Sequence, residues 1–368
     1  MPTFPSHRKL MVATVKPQYF KIFHRFTLSL VPGLLIATSL TLAGCTQESQ
    51  KATNQSPAKN VSDTKTSKIK TKVLHMGYQQ AGDLIRVTKV LEKRLEPLGV
   101  KVEWAQFAQG PQLMEAMNVG KIDLGSVGET PPIFAQAAGA QIAYVVGRRS
   151  DGRKSAIAVP PDSPIKSVKD LKGQKVVFQK ASASHYFILR ALEDAGLKYS
   201  DIQVQSIPNV EASSAFLEGK IPVWVTGDPH LARAEKLGKV RILRTAEGLD
   251  SPGGYYIAAK QFAIDNPELL RIVIEEMDKI ERWAETHPKE TAKLIAPEQK
   301  LPPDVMDLVI SRRGYGLTAI SPDLIKKQQR VADYFYKNGL LPKPLNVQEA
   351  MLTPEQYATI NPPSISQK

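Results

Sequence analysis

Apolar residues after position 70 follow the periods of strands and helices in turn. The short apolar runs are 73–78, 100–104, 122–127 and 142–146. Between these runs, apolar residues recur at helical spacing, as in Leu84, Val87 and Leu91, and the segments end in glycine or begin with proline. Strands that alternate with helices in this way predict an α/β fold with a parallel, doubly wound sheet.

The strand-like run 156–159 leads into a proline-rich segment and then into a second set of elements. The predicted elements are strands at 175–178 and 240–243, a helix at 184–195, a returning strand at 255–259, and mostly helix after Pro267. We therefore expect two lobes, lobe 1 at 71–157 and 255–368 and lobe 2 at 158–254. Two crossings between lobes form a hinge, and hinge closure around a solute is a known switching mode.

Two stretches of the chain read almost alike. The sequence GKIDLGSVGE at 120–129 is followed 99 positions later by GKIPVWVTGD at 219–228. Each stretch ends a predicted helix, continues as a short apolar strand and reaches a glycine–acid turn before the next helix. One interpretation is two lobes of one plan with a ligand between them. The other is chance, because Gly-Lys-Ile is a common turn string.

The N-terminal segment has the order of an export signal. Residues 1–44 contain basic residues but no Asp or Glu, and an apolar run at 26–43 ends in Leu-Ala-Gly before Cys45. This order predicts a secretory signal peptide at 1–44, and it resembles a bacterial lipoprotein signal, in which the Cys45 thiol is lipidated. The alternative is an uncleaved signal anchor, although Pro32 and Gly33 interrupt the run. Residues 45–70 are polar and predict a flexible tether.

Composition narrows the class of function. The net charge is +13, and residues 1–44 carry five of these charges, which leaves +8 on the remainder. Lys and Arg alternate with Glu and Asp, which indicates solvated helix faces and no nucleic-acid partner, while a mildly positive field steers anionic solutes. Cys45 is the sole cysteine, and the histidines lack ligand spacing. We therefore expect no disulfide, no metal, no cofactor and no catalytic residues.

Several strings together resemble those of one family. They include Gly77-Tyr78-Gln79, the segments 110–120, 131–140 and 195–202, Asp162-Ser163-Pro164-Ile165, His185-Tyr186, Ser311-Arg312-Arg313-Gly314-Tyr315-Gly316, and the segment 342–347. As a set, spread over about 73 to 350, they resemble the aliphatic-sulfonate-binding proteins of ABC importers, within the wider group of sulfonate-, taurine- and nitrate-type solute-binding proteins.

The resemblance implies a type II periplasmic-binding-protein fold and no catalysis. The expected protein is a monomer in the periplasm or cell envelope, lipid-anchored through Cys45, that delivers an organosulfonate to an ABC permease. Alternatives are a binder of taurine, nitrate, an aromatic sulfonate or a thiamin precursor, and an enzyme on the same fold. A purely structural lipoprotein would leave the repeat without a use.

A sulfonate is a permanent anion, so its site needs N–H and O–H donors, helix N-termini or a cation, and an apolar wall. The candidate ligand-binding residues are Gln79, Gln80, Gly128, Glu129, Thr130, Ser182, Ser184, His185, Trp224, Asp228 and Arg312. Each also has a structural interpretation: Thr130 and the serines as helix caps, His185 as a half-buried polar residue, and Trp224 as core.

Arg312-Arg313 is the best candidate for the cation, because a guanidinium matches two sulfonate oxygens. We favour Arg312 and expect Arg312→Ala to lose binding. Glu129 and Asp228 oppose an anion unless they cap helices, face an arginine or bind an amino group on the ligand. Family members often carry a second tryptophan before the Asp-Pro, where this chain has Gly227. A ligand larger than a short alkanesulfonate is therefore a hypothesis.

Overall fold

A computed structural model of the protein describes residues 69–79, 83–150 and 152–366. The predicted signal peptide, Cys45, Gln80 and all but the last two residues of the predicted tether lie outside these residues. Within the described part of the chain, no helix has both the length and the apolar character needed to cross a bilayer.

The strands and helices alternate along most of the chain. The strands are β1 (Val73–Gln79), β2 (Lys101–Phe107), β3 (Leu124–Gly128), β4 (Ile142–Arg148), β5 (Ser155–Val159), β6 (Lys175–Phe178), β7 (Gln203–Ser206), β8 (Trp224–Gly227), β9 (Arg241–Thr245), β10 (Gly254–Ala259) and β11 (Leu317–Thr318). The helices up to β10 are α1 (Leu84–Thr88), α2 (Val90–Leu95), α3 (Gly110–Asn118), α4 (Thr130–Ala137), α5 (Ala183–Asp194), α6 (Asn209–Leu217) and α7 (His230–Lys236).

The chain after β10 is mostly helical. Its helices are α8 (Lys260–Asp265), α9 (Pro267–Thr286), α10 (Pro288–Gln299), α11 (Pro303–Ser311), α12 (Pro322–Lys337), α13 (Pro354–Ile360) and α14 (Pro363–Ser366). Short 3₁₀ helices lie at Glu96–Leu98, Val168–Leu171, Tyr199–Asp201 and Val347–Ala350.

The first sheet has the strand order β11-β4-β10-β3-β1-β2. β1 runs parallel to β2 and β3, as predicted, but β3 and β4 are not neighbours. The returning strand β10 lies between them and is antiparallel to both. The sheet is therefore mixed: the predicted parallel pairing holds for β1, β2 and β3, whereas β10 separates β3 from β4. The sequence GYYIAA of β10 is apolar on both faces, which suits a strand in the interior of a covered sheet.

The second sheet repeats this plan, with the order β7-β6-β8-β5-β9. β6 is parallel to β7 and β8, and β5 lies antiparallel between β8 and β9. The two copies of the repeated sequence, β3 and β8, thus occupy the same position in their sheets. Each ends opposite the first residue of a crossing strand, Gly128 opposite Gly254 and Gly227 opposite Ser155. The two copies of the repeated sequence are therefore topologically equivalent strands.

Each sheet has a hydrophobic core of its own. The larger core covers the first sheet and includes Leu74 and Met76 from β1 together with Leu270, Val273 and Phe335 from the helices after β10. A second core is formed around Val176, Phe178, Ile188 and Val225, and a smaller cluster around Trp224 lies beside it. All strands of the second sheet lie between residues 155 and 245, so the chain crosses between sheets at 149–154 and 246–253.

The two crossing segments touch each other backbone to backbone. Gly152 has φ of +81°, and a Cβ placed there would lie 2.3 Å from the carbonyl oxygen of Ala246. Only glycine combines this backbone conformation with such a close approach. Gly173 has a similar φ of +76°, but a Cβ placed at that residue would have no neighbour within 4 Å. The pair of glycines therefore separates the effect of the backbone conformation from that of the close contact.

We expect Gly152→Ala to lower the free energy of unfolding more than Gly173→Ala does. In the control variant, Gly173→Ala, only the left-handed backbone conformation is unfavourable, and it lowers the free energy of unfolding by about 1–2 kcal/mol. The Gly152 variant must also separate the two crossings, for a total of about 2–4 kcal/mol. Urea unfolding of both variants measures the difference. Equal losses would contradict a packed contact between the crossings.

Candidate functional site

A cavity of about 450 Å³ lies where the strand ends of the two sheets meet. Gln79, Gly128 and Arg148 border it from the carboxyl ends of β1, β3 and β4, and Gly227 from the end of β8. Both crossing segments border it as well. The crevice at the carboxyl ends of strands is the usual ligand position in open α/β sheets. The cavity is therefore the candidate binding site.

Three helices begin at this cavity. The residues before their first turns, Gln109 for α3, Glu129 for α4 and Ser182 for α5, border it, and none of the three makes a side-chain capping hydrogen bond. Backbone N–H groups in the first turn of a helix have no partner within the helix and carry partial positive charge. The wall of the cavity is therefore suited to an anion.

The arginines on the side of the first sheet are held by a buried carboxylate. A guanidinium nitrogen of Arg313 lies 2.6 Å from a carboxylate oxygen of Glu281, and one of Arg148 lies 3.8 Å from the same oxygen. Burial alone would raise the pKa of Glu281, but the two guanidinium groups outweigh it and the pKa is lowered. Asp83 lies near the same cluster, and burial raises its pKa. One ionised carboxylate thus faces two guanidinium groups, and Glu281 offsets one of their two positive charges.

Lys154 differs from these arginines. Its side chain is accessible within the cavity although protein surrounds it, and it has no ion-pair partner within 4 Å among the residues that the structure describes. Desolvation by the surrounding protein, with a further contribution from Arg148, lowers the pKa of the Lys154 ammonium. An anion bound beside it would favour its charged form.

The two acidic residues of the repeat face the cavity from opposite sheets. Glu129 is 6% exposed, and burial raises its pKa to about 7. Burial also raises the pKa of Asp228 to about 7, against the opposing effect of Arg312. One Asp228 oxygen accepts the backbone N–H of Ala232 at 3.0 Å. Both carboxyl groups are therefore partly protonated near neutral pH, which weakens their repulsion of an anion.

The structure brings together six of the predicted site residues. Those that border the cavity are Gln79, Gly128, Glu129, Ser182, Ser184 and Asp228. Two of them have donors already engaged: the Gln79 amide donates to the Ser126 carbonyl oxygen at 2.8 Å, and the Ser182 hydroxyl donates to the Gln179 carbonyl oxygen at 2.7 Å. Gln80 lies outside the described residues.

The preference for Arg312 over Arg313 is corrected. Arg312 directly follows α11, and its guanidinium lies 2.5 Å from a carboxylate oxygen of Glu235 and 3.7 Å from one of Asp228. Arg312 is thus paired with a residue of α7 and is not part of the cavity lining, whereas Arg313 borders the cavity. Loss of binding in Arg312→Ala is therefore not expected from lost contact with a ligand. It would have to act through Asp228.

Thr130 and His185 are also placed away from the cavity lining. Thr130 is fully buried and its hydroxyl donates to Glu129 at 3.3 Å. The His185 ring lies within 3.1 Å of the Tyr199 hydroxyl at Nε2 and accepts the backbone N–H of Ala181 at Nδ1. Burial lowers the pKa of His185 to about 3, so it is a neutral core residue and offers no charge to an anion.

Trp224 is fully buried beneath the cavity and does not form its wall. Its indole N–H donates to Oδ1 of Asn209 at 3.2 Å. Asn209 borders the cavity at the start of α6. Sequence reasoning missed Asn209, Lys154 and Arg148. The position of Asn209 after a strand, at the start of a helix, was a usable signal, whereas Lys154 lies in a connection with no periodic pattern.

A comparison with protein-family models matches residues 96–291 to the family described as NMT1/THI5 like. The chain is 37% identical over 287 residues to a protein of Escherichia coli K12 that is named an aliphatic sulfonates-binding protein, covering 77% of this chain and 89% of that one. It is 24% identical over 200 residues to the taurine-binding periplasmic protein of the same strain, covering 53% and 61%.

Solved structures of two relatives share this architecture. The alkanesulfonate-binding protein SsuA from Xanthomonas axonopodis pv. citri, bound to MOPS, is 34% identical with a TM-score of 0.74 and covers 77% of this chain and 98% of that one. The periplasmic aliphatic sulphonate binding protein SsuA from Escherichia coli is 36% identical with a TM-score of 0.71, covering 77% and 93%. These matches confirm the predicted periplasmic-binding-protein fold. The desulfurization enzyme DszB, 14% identical with a TM-score of 0.57, shares the fold alone.

We expect Glu129→Gln to stabilise the protein at alkaline pH and to have little effect at acidic pH. The folded state holds the Glu129 proton up to about pH 7, whereas the unfolded state releases it near 4.5, so wild-type stability falls between these values. The variant escapes this loss, which amounts to about 3 kcal/mol at most. Urea unfolding near pH 5 and near pH 8 measures the effect. An equal change at both pH values would show that Glu129 is not protonated when buried.

Proposed function

This chain belongs to the NMT1/THI5-like family, and we propose that it is the solute-binding subunit of an ABC importer. In this role it captures an aliphatic or related organosulfonate between two lobes and delivers it to the permease. The observation that carries the proposal is the cavity at the facing strand ends, bordered by the N-termini of α3, α4 and α5 and by the accessible ammonium of Lys154. The identity to sulfonate-binding relatives over 77% of the chain supports it.

The chemistry of the cavity suits binding. Three sulfonate oxygens accept hydrogen bonds without ever being protonated near neutral pH, and backbone N–H groups at helix N-termini serve such oxygens well. In the described ranges, no group of His, Cys, Asp and Glu is arranged to hold a metal ion. We propose a binding protein without catalytic activity, as its curated relatives are named binding proteins.

The size of the cavity favours a ligand with more than a short alkyl tail. About 450 Å³ exceeds the room that an ethyl group and a sulfonate need, and Gly227 borders the cavity without a side chain. The backbone there is not in the left-handed region, and a Cβ placed at Gly227 would lie 3.1 Å from the Lys154 carbonyl oxygen, so a side chain would need only a small shift of this neighbour.

A second candidate ligand carries an ammonium group as well as a sulfonate. Glu129 and Asp228 border the cavity, and a ligand cation between them would favour their ionised forms. Both groups have little exposure, since Glu129 is 6% exposed and the Asp228 side chain 3%. Taurine belongs to this class, as do zwitterionic sulfonates with larger tails.

Calorimetric titration of the mature domain tests the function and the size class together. We expect binding of propanesulfonate and of MOPS, and much weaker binding of butanoate, the carboxylate matched to propanesulfonate in chain length. Heat from ethanesulfonate but from no larger sulfonate would contradict the size class. Absence of heat with every organosulfur anion, taurine and aromatic sulfonates included, would contradict the function.

We further propose that the protein is a monomer held at the outer face of a membrane by a lipid on Cys45. The order of charges, apolar residues and Cys45 in the first 45 residues supports export and lipidation. The polar residues 46–70 would then separate the binding domain from the membrane and let it reach the permease.

We expect Cys45→Ser to move the full-length protein from the membrane fraction to the soluble fraction of the envelope, because the thiol is the point of acylation. Labelling of wild type, and not of the variant, with a radioactive fatty acid provides the control. Lipid labelling that persists in the variant, or wild-type protein that is never labelled, would contradict the anchor.

A further inference from the structure

The hydrogen-bond donors that face the cavity are unequal at its two edges. We call the strand ends of the first sheet the first edge and those of the second sheet the second edge. At the first edge, Arg148 and Arg313 share the carboxylate of Glu281, and the Gln79 amide donates to the Ser126 carbonyl oxygen. The Gln79 amide and the Arg313 guanidinium are therefore engaged within the protein, whereas Arg148 lies beyond hydrogen-bond distance of Glu281.

At the second edge, three residues with different hydrogen-bond donors border the cavity. Among the residues that the structure describes, no protein group accepts from the Lys154 ammonium, the Ser184 hydroxyl or the Asn209 amide nitrogen. Ser184 lies in the first turn of α5 and Asn209 begins α6, and Lys154 directly precedes β5.

The topology of the second sheet explains why these donors converge. Helices α5 and α6 follow the parallel neighbours β6 and β7, so their first turns lie at the same edge. β5 is antiparallel to β8, and its first residue, Ser155, pairs with Gly227 at the carboxyl end of β8. Lys154, which precedes Ser155, therefore lies at the same edge, because the antiparallel strand β5 begins where the parallel strands end.

The orientation of the Asn209 amide is set by two buried donors. Its Oδ1 accepts the indole N–H of Trp224 at 3.2 Å and the hydroxyl of Thr226 at 3.1 Å. The indole nitrogen can only donate, so a flipped amide would place two donors against each other. The oxygen of Asn209 is thus turned inward, and its NH₂ group is left for the cavity that Asn209 borders.

We propose that the sulfonate head group binds at the second edge, to Lys154, Ser184 and the amide nitrogen of Asn209, with Trp224 and Thr226 as the positioning residues of that amide. This subsite rests on the proposed function. Three donors match three oxygens, and the Lys154 ammonium matches the negative charge of the sulfonate. The organic tail then extends toward the first edge, where the Arg313 guanidinium is paired with Glu281.

Matched pairs of variants test the position of the head group. Lys154→Met removes the cation of the second edge. Arg149→Met removes a cation that also borders the cavity but whose side chain runs along Gly316. Titration with propanesulfonate and with MOPS should show a loss of about 10- to 100-fold for the Lys154 variant and less than about threefold for the Arg149 variant. The reverse order, or equal losses, would overturn the subsite.

A second pair tests the amide itself. Asn209→Asp keeps the shape and the acceptor for Trp224 but replaces the NH₂ group with a carboxylate oxygen. We expect a loss of at least about 100-fold. Gln109→Glu makes the same change at the first edge and should cost less than about tenfold. An Asn209 variant that binds within threefold of wild type would overturn the proposal.

A double-mutant cycle separates positioning from general damage to the fold. Trp224→Phe removes the indole donor but keeps a ring in the core, and it should weaken binding when Asn209 is present and have no further effect in an Asn209→Ala background. Equal effects in both backgrounds would show that Trp224 acts only on the fold. If the Trp224 variant does not unfold cooperatively in urea, Thr226→Val tests the same amide. Wild type that binds no sulfonate refutes the function, whereas wild type that binds with an unaffected Asn209 variant refutes this subsite alone.

Discussion

The exchange of one strand between the two sheets constrains everything else in the structure. β5 follows the first four strands of the first sheet along the chain but belongs to the second sheet. β10 follows the last strand of the second sheet but belongs to the first. Each exchanged strand is antiparallel to its neighbours, so it begins at the edge where the parallel strands end. The two crossings therefore meet at these edges, and the backbone contact between Gly152 and Ala246 follows from that meeting. The cavity is the space that the exchange leaves between the edges.

Enclosure of this space changes the behaviour of the charges that face it. Burial raises the pKa of Glu129 and Asp228 and lowers that of Lys154, so each group moves toward its neutral form. Glu281 behaves in the opposite way, because Arg313 and Arg148 are close enough to keep it ionised. The cavity thus holds little fixed negative charge near neutral pH, and its free donors gain strength from the low exposure to water.

The repeated sequence has two different consequences in its two copies. β3 ends at Gly128, where a placed Cβ would lie 3.0 Å from Cβ of Ala183, so this glycine lets the second half of the chain approach closely. β8 carries Trp224, which is buried and holds Asn209 rather than a ligand. The two equivalent strands therefore differ in their contribution. β3 provides a close contact with Ala183, whereas β8 provides the indole that holds the Asn209 side chain.

The sequence by itself determined the alternation of strands and helices, and it placed Gly128 and Asp228 among the candidate residues that border the cavity. Periodicity and turn residues are local properties, and they report burial and chain direction without knowledge of partners. Only the tertiary structure decided that β10 separates β3 from β4, and that Arg313 rather than its neighbour Arg312 reaches the cavity. It also decided that His185 is a core residue and that Lys154 is an accessible cation. Each of these outcomes depends on contacts between segments far apart in the chain, and no local pattern encodes which distant group a side chain will meet.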